Sequence, residues 1–154
     1  MFLLALGCLH SKAQSATDQH TQSLKSLIDA KKYGFKAMSA TSKKGRTVQL
    51  TTGYGLNLNQ DSLQVDLPYY GRAYTSSYPA NSDMGIRFAS QDFSYLADTT
   101  KKSGWDITIK PKGASVSAIY LSISSSGYCT VRISSNDRDP ISYYGTITEP
   151  MAGH

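Results

Sequence analysis

The residues best suited to chemistry are tyrosines that occur in two similar strings. Tyr69-Tyr70-Gly71 stands in Asp66-Leu67-Pro68-Tyr69-Tyr70-Gly71-Arg72-Ala73-Tyr74, and Tyr143-Tyr144-Gly145 closes Asp137-Arg138-Asp139-Pro140-Ile141-Ser142-Tyr143-Tyr144-Gly145. Each copy sets paired tyrosines and a glycine near a proline, an arginine and an aspartate. A tyrosine offers an apolar face and a polar tip, which suits sugar rings, peptides or lipid headgroups at a wet surface. Arg72 and Arg138 would pair an acidic group on such a ligand. The candidate binding residues are therefore Tyr69, Tyr70, Arg72, Tyr74, Arg138, Tyr143 and Tyr144. The competing role is packing: strand alternation turns one tyrosine of each pair inward, and the glycine lets another backbone approach.

Other chemistries find less to work with. Beyond residue 13 the histidines are His20 and His154, near the two ends of the chain. A Ser-His-Asp or Cys-His site needs a positioned imidazole, and a Cys/His zinc site needs several ligands. His20, near a helix start, is expected to be solvated. There is no Asp-rich calcium loop and no glycine-rich phosphate loop. No cofactor or metal is expected, and no catalytic residue is assigned. A carboxylate-dependent hydrolase of an envelope polymer is the alternative, using Asp66, Asp137 and Asp139 across a cleft. Ion pairing of each carboxylate to an arginine or to backbone donors would remove it. A third reading is a carrier enclosing a hydrophobic ligand, which a filled core would remove. Lys43-Lys44 with Arg46, and Lys101-Lys102, fall at turns and read as solvated hairpin tips.

These side chains need a scaffold. The 154 residues suffice for one core. Apolar residues make up 40% and charged residues 18%, the balance of a folded chain rather than a disordered one. The net charge of +5 carries no long basic run, so no nucleic-acid partner is expected. Glu149 is the sole glutamate, and the excess of Asp and Tyr favours turns and strands over helices.

The start, Phe2-Leu3-Leu4-Ala5-Leu6-Gly7-Cys8-Leu9, is apolar but far short of a membrane span, and Ser11-Lys12-Ala13 has a cleavage-site pattern. Residues 1–13 read as a signal peptide and 14–154 as a single globular domain without a transmembrane helix. Lipidation at Cys8 is the competing process. Removal of residues 1–13 leaves 15 basic against 11 acidic residues, a net charge of +4, and one cysteine, Cys129. Cys129 reads as a small apolar residue on an inward strand face. The expected location is extracytoplasmic, periplasmic or secreted.

Leu24, Leu27 and Ile28 at helical spacing predict an amphipathic helix from about Asp18 to Lys32. Beyond it the apolar period becomes two, in runs such as Tyr33/Phe35/Ala37, Leu63/Val65/Leu67, Trp105/Ile107/Ile109, Ile119/Leu121/Ile123, Cys129/Val131/Ile133 and Ile141/Tyr143/Gly145/Ile147. Turn signals separate them. The expected fold class is α+β, mostly β: an N-terminal helix packed on a curved antiparallel sheet of about eight strands, as a meander, half-barrel or sandwich. Residues 75–83 form the longest polar loop, a candidate lid or rim.

The strings Leu67-Pro68-Tyr69-Tyr70-Gly71-Arg72-Ala73-Tyr74, Gly85-Ile86-Arg87-Phe88, Gly127-Tyr128 and Asn136 to Gly145 form a pattern that runs from the helix to Ile147. In them the chain resembles the domain-of-unknown-function 4251 family of secreted Bacteroidetes proteins. Asp66 departs from it, where an aromatic would be expected. The resemblance implies export, sometimes as a lipoprotein, and implies no activity. Taken together, these readings favour a non-enzymatic extracytoplasmic binding or structural module. Its partner would be a glycan, peptide or lipid ligand, or an envelope protein.

Overall fold

The structure is a computed structural model that describes residues 11–51, 53–71 and 85–152, with side chains from residue 15 onward. One helix, α1 (Ser11–Asp29), precedes ten strands. These are β1 (Lys32–Ser42), β2 (Thr47–Gln49), β3 (Gly55–Asn59), β4 (Ser62–Leu67), β5 (Ile86–Ser90), β6 (Phe93–Thr99), β7 (Trp105–Pro111), β8 (Val116–Ile123), β9 (Tyr128–Ser135) and β10 (Ile141–Thr148). All pairings are antiparallel, in the order β5-β4-β3-β1-β10-β9-β8-β7-β6, with β2 beside the far half of β1.

The sheet rolls into a nearly closed barrel. Tyr33 of β1 and Tyr95 of β6, five places apart in the strand order, meet through their hydroxyls at 3.1 Å. On the other side of the seam, Ile86 and Phe88 of β5 share a surface depression with Ala114, Ser115 and Val116. The inward residues fill the interior: Tyr33, Phe35, Leu56, Leu58, Leu63, Leu67, Ile107, Ile109, Ile119, Leu121, Ile133 and Tyr143 are fully buried in one cluster. That packing supports a solid barrel rather than a ligand carrier.

The helix closes one end. Its Leu24 and Ile28 enter the core, and Thr21 Oγ1 donates to the Ser125 carbonyl in the β8–β9 turn. His20 Nε2 lies 3.1 Å from the Ser126 carbonyl oxygen, so this exposed ring is tied to the same turn rather than simply solvated. The helix ends at Asp29, earlier than Lys32. Lys31 takes a left-handed conformation that turns the chain into β1, and its ammonium sits 5.0 Å from the Tyr95 ring centre.

The strand count exceeds the expectation by two. β2 is the alternating run at Val48 and Leu50, shortened to three residues. β6 carries Phe93 and Tyr95 half-buried beside an exposed Leu96, the weak alternation of a strand at the seam. Bulges reset the alternation elsewhere. In β1 the register shifts around Met38, so that Ala37 and Ala40 both face inward and Met38 is exposed.

Burial of acidic hydroxyls and a thiol gives this core an alkaline limit. Burial raises the ionisation of Tyr33, Tyr95 and Tyr143 above the ordinary tyrosine range and pushes the Cys129 thiol up to about 12. Above the ordinary values the unfolded chain loses these protons while the folded chain keeps them, so stability falls as pH rises. Each group contributes a slope of up to about 1.4 kcal/mol per pH unit. We predict urea midpoints that hold up to about pH 9 and fall steeply from about pH 10. A flat profile through pH 12 would contradict the burial of these groups. Cys129 should likewise react with a thiol reagent only once the protein is unfolded.

Candidate functional site

Antiparallel pairing sends the β1–β2, β4–β5, β7–β8 and β9–β10 connections to the barrel end opposite α1. Both Tyr-Tyr-Gly strings are therefore at that end. Tyr69 and Tyr70 follow β4, and Tyr143 and Tyr144 open β10.

The two strings lock together through their inward tyrosines. Tyr143 Oη donates to the Pro68 carbonyl at 2.7 Å, and Tyr69 Oη donates to the Asp139 carbonyl at 3.0 Å. Each string thus satisfies a backbone carbonyl at the other. Tyr143 is 1% exposed and Tyr69 7%. Arg138 lies over the Tyr69 ring, 4.9 Å from its centre, with its side chain buried. Its Nε reaches Asp137 Oδ1 at 3.4 Å. Gly71 suits this arrangement, since a Cβ there would sit 2.5 Å from the Tyr69 hydroxyl oxygen and push that ring from its place.

The outward tyrosines part company. Tyr70, 40% exposed, lines an open cleft of about 630 Å³ with Ser42, Lys43, Lys44, Arg46, Tyr69, Gly71 and Asp139. Lys43 approaches Asp139 Oδ1 at 3.5 Å, a weak contact for an ion pair. Lys44 and Arg46 form no ion pair among the described residues. Tyr144, 44% exposed, is on the outer wall of the barrel and stacks on Tyr128. Of the other sequence-predicted residues, Arg72 and Tyr74 are outside the described residues, as is the 75–83 loop.

Lys43, Lys44 and Arg46 are the residues that sequence reasoning read only as a solvated hairpin tip. That hairpin is real: the Ser42 amide donates to Arg46 and the Gly45 amide to Ser42. What brings it beside Tyr70 is the strand order, which places the ends of β1 and β4 at one rim. The signal available in sequence was strand direction, which sends both turns to the same end.

The three carboxylates are engaged by cations. Asp66 pairs with Arg87 across β4 and β5 at 2.8 Å, Asp137 with Arg138, and Asp139 with Lys43. Asp66 and Asp137 thus meet the arginine-pairing condition that removes the hydrolase, whereas Asp139 has the weaker lysine contact. Among the described residues no group of three His, Cys, Asp or Glu side chains is placed to hold a metal.

The family model for the domain of unknown function DUF4251 matches residues 15–147. The chain belongs to the DUF4251 family. A crystal structure of a DUF4251 family protein from Bacteroides eggerthii DSM 20697 superposes with a TM-score of 0.68 at 18% identity, covering 88% of this chain and 91% of that one. At that identity the likeness extends to the fold. Comparison with curated proteins finds no match. The DUF4251 match includes both Tyr-Tyr-Gly strings, and here the inward tyrosine of each string serves the barrel.

One consequence is measurable. Tyr143→Phe removes the donor to Pro68 and leaves a shielded carbonyl unpaired, which should cost about 1–3 kcal/mol. Tyr69→Phe acts on the reciprocal bond. Because both bonds join the same two strings, the double variant should deviate from additivity by at least about 0.5 kcal/mol. Strict additivity in urea unfolding would show that the strings are not coupled.

Proposed function

We propose that this DUF4251 protein is a non-enzymatic extracytoplasmic binding module that holds an anionic ligand in the cleft beside Tyr70. The observation that carries this reading is the composition of the cleft. The exposed Tyr70 follows Tyr69, which the Arg138 and Asp139 contacts hold in place, and shares the cleft with Lys43, Lys44 and Arg46. A rigid aromatic surface with nearby cations binds an acidic group without reordering the backbone, and preorganisation of that kind lowers the cost of association. The ammonium and guanidinium groups supply charge-assisted hydrogen bonds.

One feature supports export: the DUF4251 match begins at residue 15, just after the cleavage pattern ending at Ala13. The carboxylate hydrolase has no comparable support, because Asp66, Asp137 and Asp139 each carry a cation partner.

A thermal-shift screen of residues 14–154 against acidic glycans, peptidoglycan fragments, anionic lipids and acidic peptides tests the reading. A ligand of the native state raises the midpoint by linkage. We expect a rise with an anionic class that is lost in the Lys43→Ala/Lys44→Ala/Arg46→Ala variant. A flat response across every anionic class, or an equal rise in the triple variant, would contradict it.

A further inference from the structure

A second surface borders the cleft, since its Arg132 and Ser142 line a depression with Ser42 and Lys43. The outer wall formed by β8, β9, β10 and β1 contains no Asp or Glu at any position of the four strands. Its outward residues include many Ser and Thr, basic side chains such as Lys36 and Arg132, and four large side chains, Met38, Tyr120, Tyr128 and Tyr144, each between 43% and 48% exposed. Tyr128 and Tyr144 stack with their rings 5° from parallel and centres 5.9 Å apart.

The register fixes their surroundings. Tyr144 is flanked by Thr130 on β9 and Ser39 on β1, and Tyr128 by Thr146 on β10. Thr146 in turn faces Lys36. Two residues along β9 from Thr130 is Arg132, which has Tyr120 on one side and Ser142 on the other. Lys36 and Arg132 thus bracket the tyrosine pair, and neither forms an ion pair among the described residues. From Ser142 to Thr146 the wall runs about 13 Å along the strand.

We infer that this wall is a binding site for an acidic polysaccharide. The C–H face of a sugar ring packs on the outer face of one of the stacked tyrosines, and its hydroxyls exchange hydrogen bonds with the flanking Ser and Thr side chains. The cations bracketing the rings meet carboxylate or sulfate groups carried on neighbouring sugars. The absence of carboxylates from four adjacent strands removes the repulsion such a chain would otherwise meet. An apolar partner fits this surface less well, since the tyrosines are flanked by the hydroxyls of Ser39, Thr130 and Thr146, with Met38 as the exposed aliphatic side chain among them. The rings stand on paired strands, so binding would not have to order a loop.

Affinity electrophoresis of residues 14–154 through native gels containing polygalacturonate, dextran or polyglutamate provides the test. Retardation by polygalacturonate is expected, with dextran and polyglutamate weaker. Tyr144→Ala and Tyr128→Ala should each weaken retardation at least tenfold, and Arg132→Gln by several-fold. A Lys44→Ala/Arg46→Ala variant, which spares Lys43 beside Arg132, should retain it, and this separates the site from the cleft. Circular dichroism of each variant should match the parent, because the replaced side chains are exposed; conservative Tyr144→Phe and Tyr128→Phe forms should keep most of the retardation. No retardation by polygalacturonate would overturn the inference. So would equal retardation by polyglutamate, which would indicate charge alone, or loss of a self-associated state in Tyr144→Ala on sedimentation, which would assign the wall to a second copy of the chain.

Discussion

Gly145→Ala should lower the thermal unfolding midpoint by roughly 4–8 °C, the equivalent of about 2 kcal/mol in a domain of this size. Gly145 is an inward position of β10, opposite Ala37 next to the β1 bulge. A Cβ there would overlap the Lys36 carbonyl oxygen and press on the Phe35 ring at 3.0 Å. The obstacle is backbone in a central strand pair, so no side-chain rotation relieves it. The strands must separate or the barrel must locally open. Overpacking of this kind costs about 1–3 kcal/mol and sometimes more. The reduced freedom of an unfolded alanine returns only about 0.4–1 kcal/mol. Differential scanning calorimetry decides the matter, and a midpoint within about 2 °C of the parent would show that β1 and β10 do not approach so closely. The glycine of the second string is therefore a barrel residue, required where two strands bend past each other.

Arg138→Ala should cost about 3 kcal/mol, again several degrees in the midpoint. The arginine combines burial, an ion pair with Asp137 and a position over the Tyr69 ring. Its removal takes away the pair and about 1 kcal/mol of cation–ring attraction, and leaves Asp137 with one cation fewer. Asp137 is still one-fifth exposed, so the loss falls at the lower end of the range for buried pairs. Arg138→Lys should restore only part of the stability, because a lysine does not reproduce the planar guanidinium over the ring. Asp137→Ala in the Arg138→Ala background should add less than it does alone. Urea unfolding of the four proteins provides the cycle. An Arg138→Ala variant as stable as the parent would mean that this residue does not anchor the wall beneath Tyr70.

Both results bear on how the sequence encodes the site. The period-two reading of Ile141, Tyr143, Gly145 and Ile147 placed all four inside, where they are. Leu24 and Ile28 likewise identified the buried face of the helix. Alternation failed where the backbone departs from it. The bulge at Met38 lets Ala37 and Ala40 both face inward, and a second register shift lies between Val116 and Ala118. β6 was unreadable because its seam position leaves Phe93 and Tyr95 only half-buried.

For the site, alternation separated Tyr143 from Tyr144, inward from outward. It could not show that Tyr143 and Tyr69 reach each other's backbones, since those bonds span 75 and 70 residues. Nor could it show that Tyr144 would meet Tyr128 while Tyr70 met Lys43, Lys44 and Arg46. Those neighbours depend on strand order, and the sequence carries alternation more plainly than order.

Inward tyrosines holding the barrel and an outward tyrosine serving a ligand make opposite predictions for two single substitutions. The direct measurement is thermal unfolding of Tyr143→Phe and Tyr70→Ala, each with and without the anionic ligand that stabilises the parent. Tyr143→Phe should lower the midpoint by roughly 2–12 °C while keeping the ligand-induced rise. Tyr70→Ala should leave the ligand-free midpoint near the parent value and lose most of the rise. A full ligand-induced rise in Tyr70→Ala, or an unchanged ligand-free midpoint in Tyr143→Phe, would contradict the division of roles.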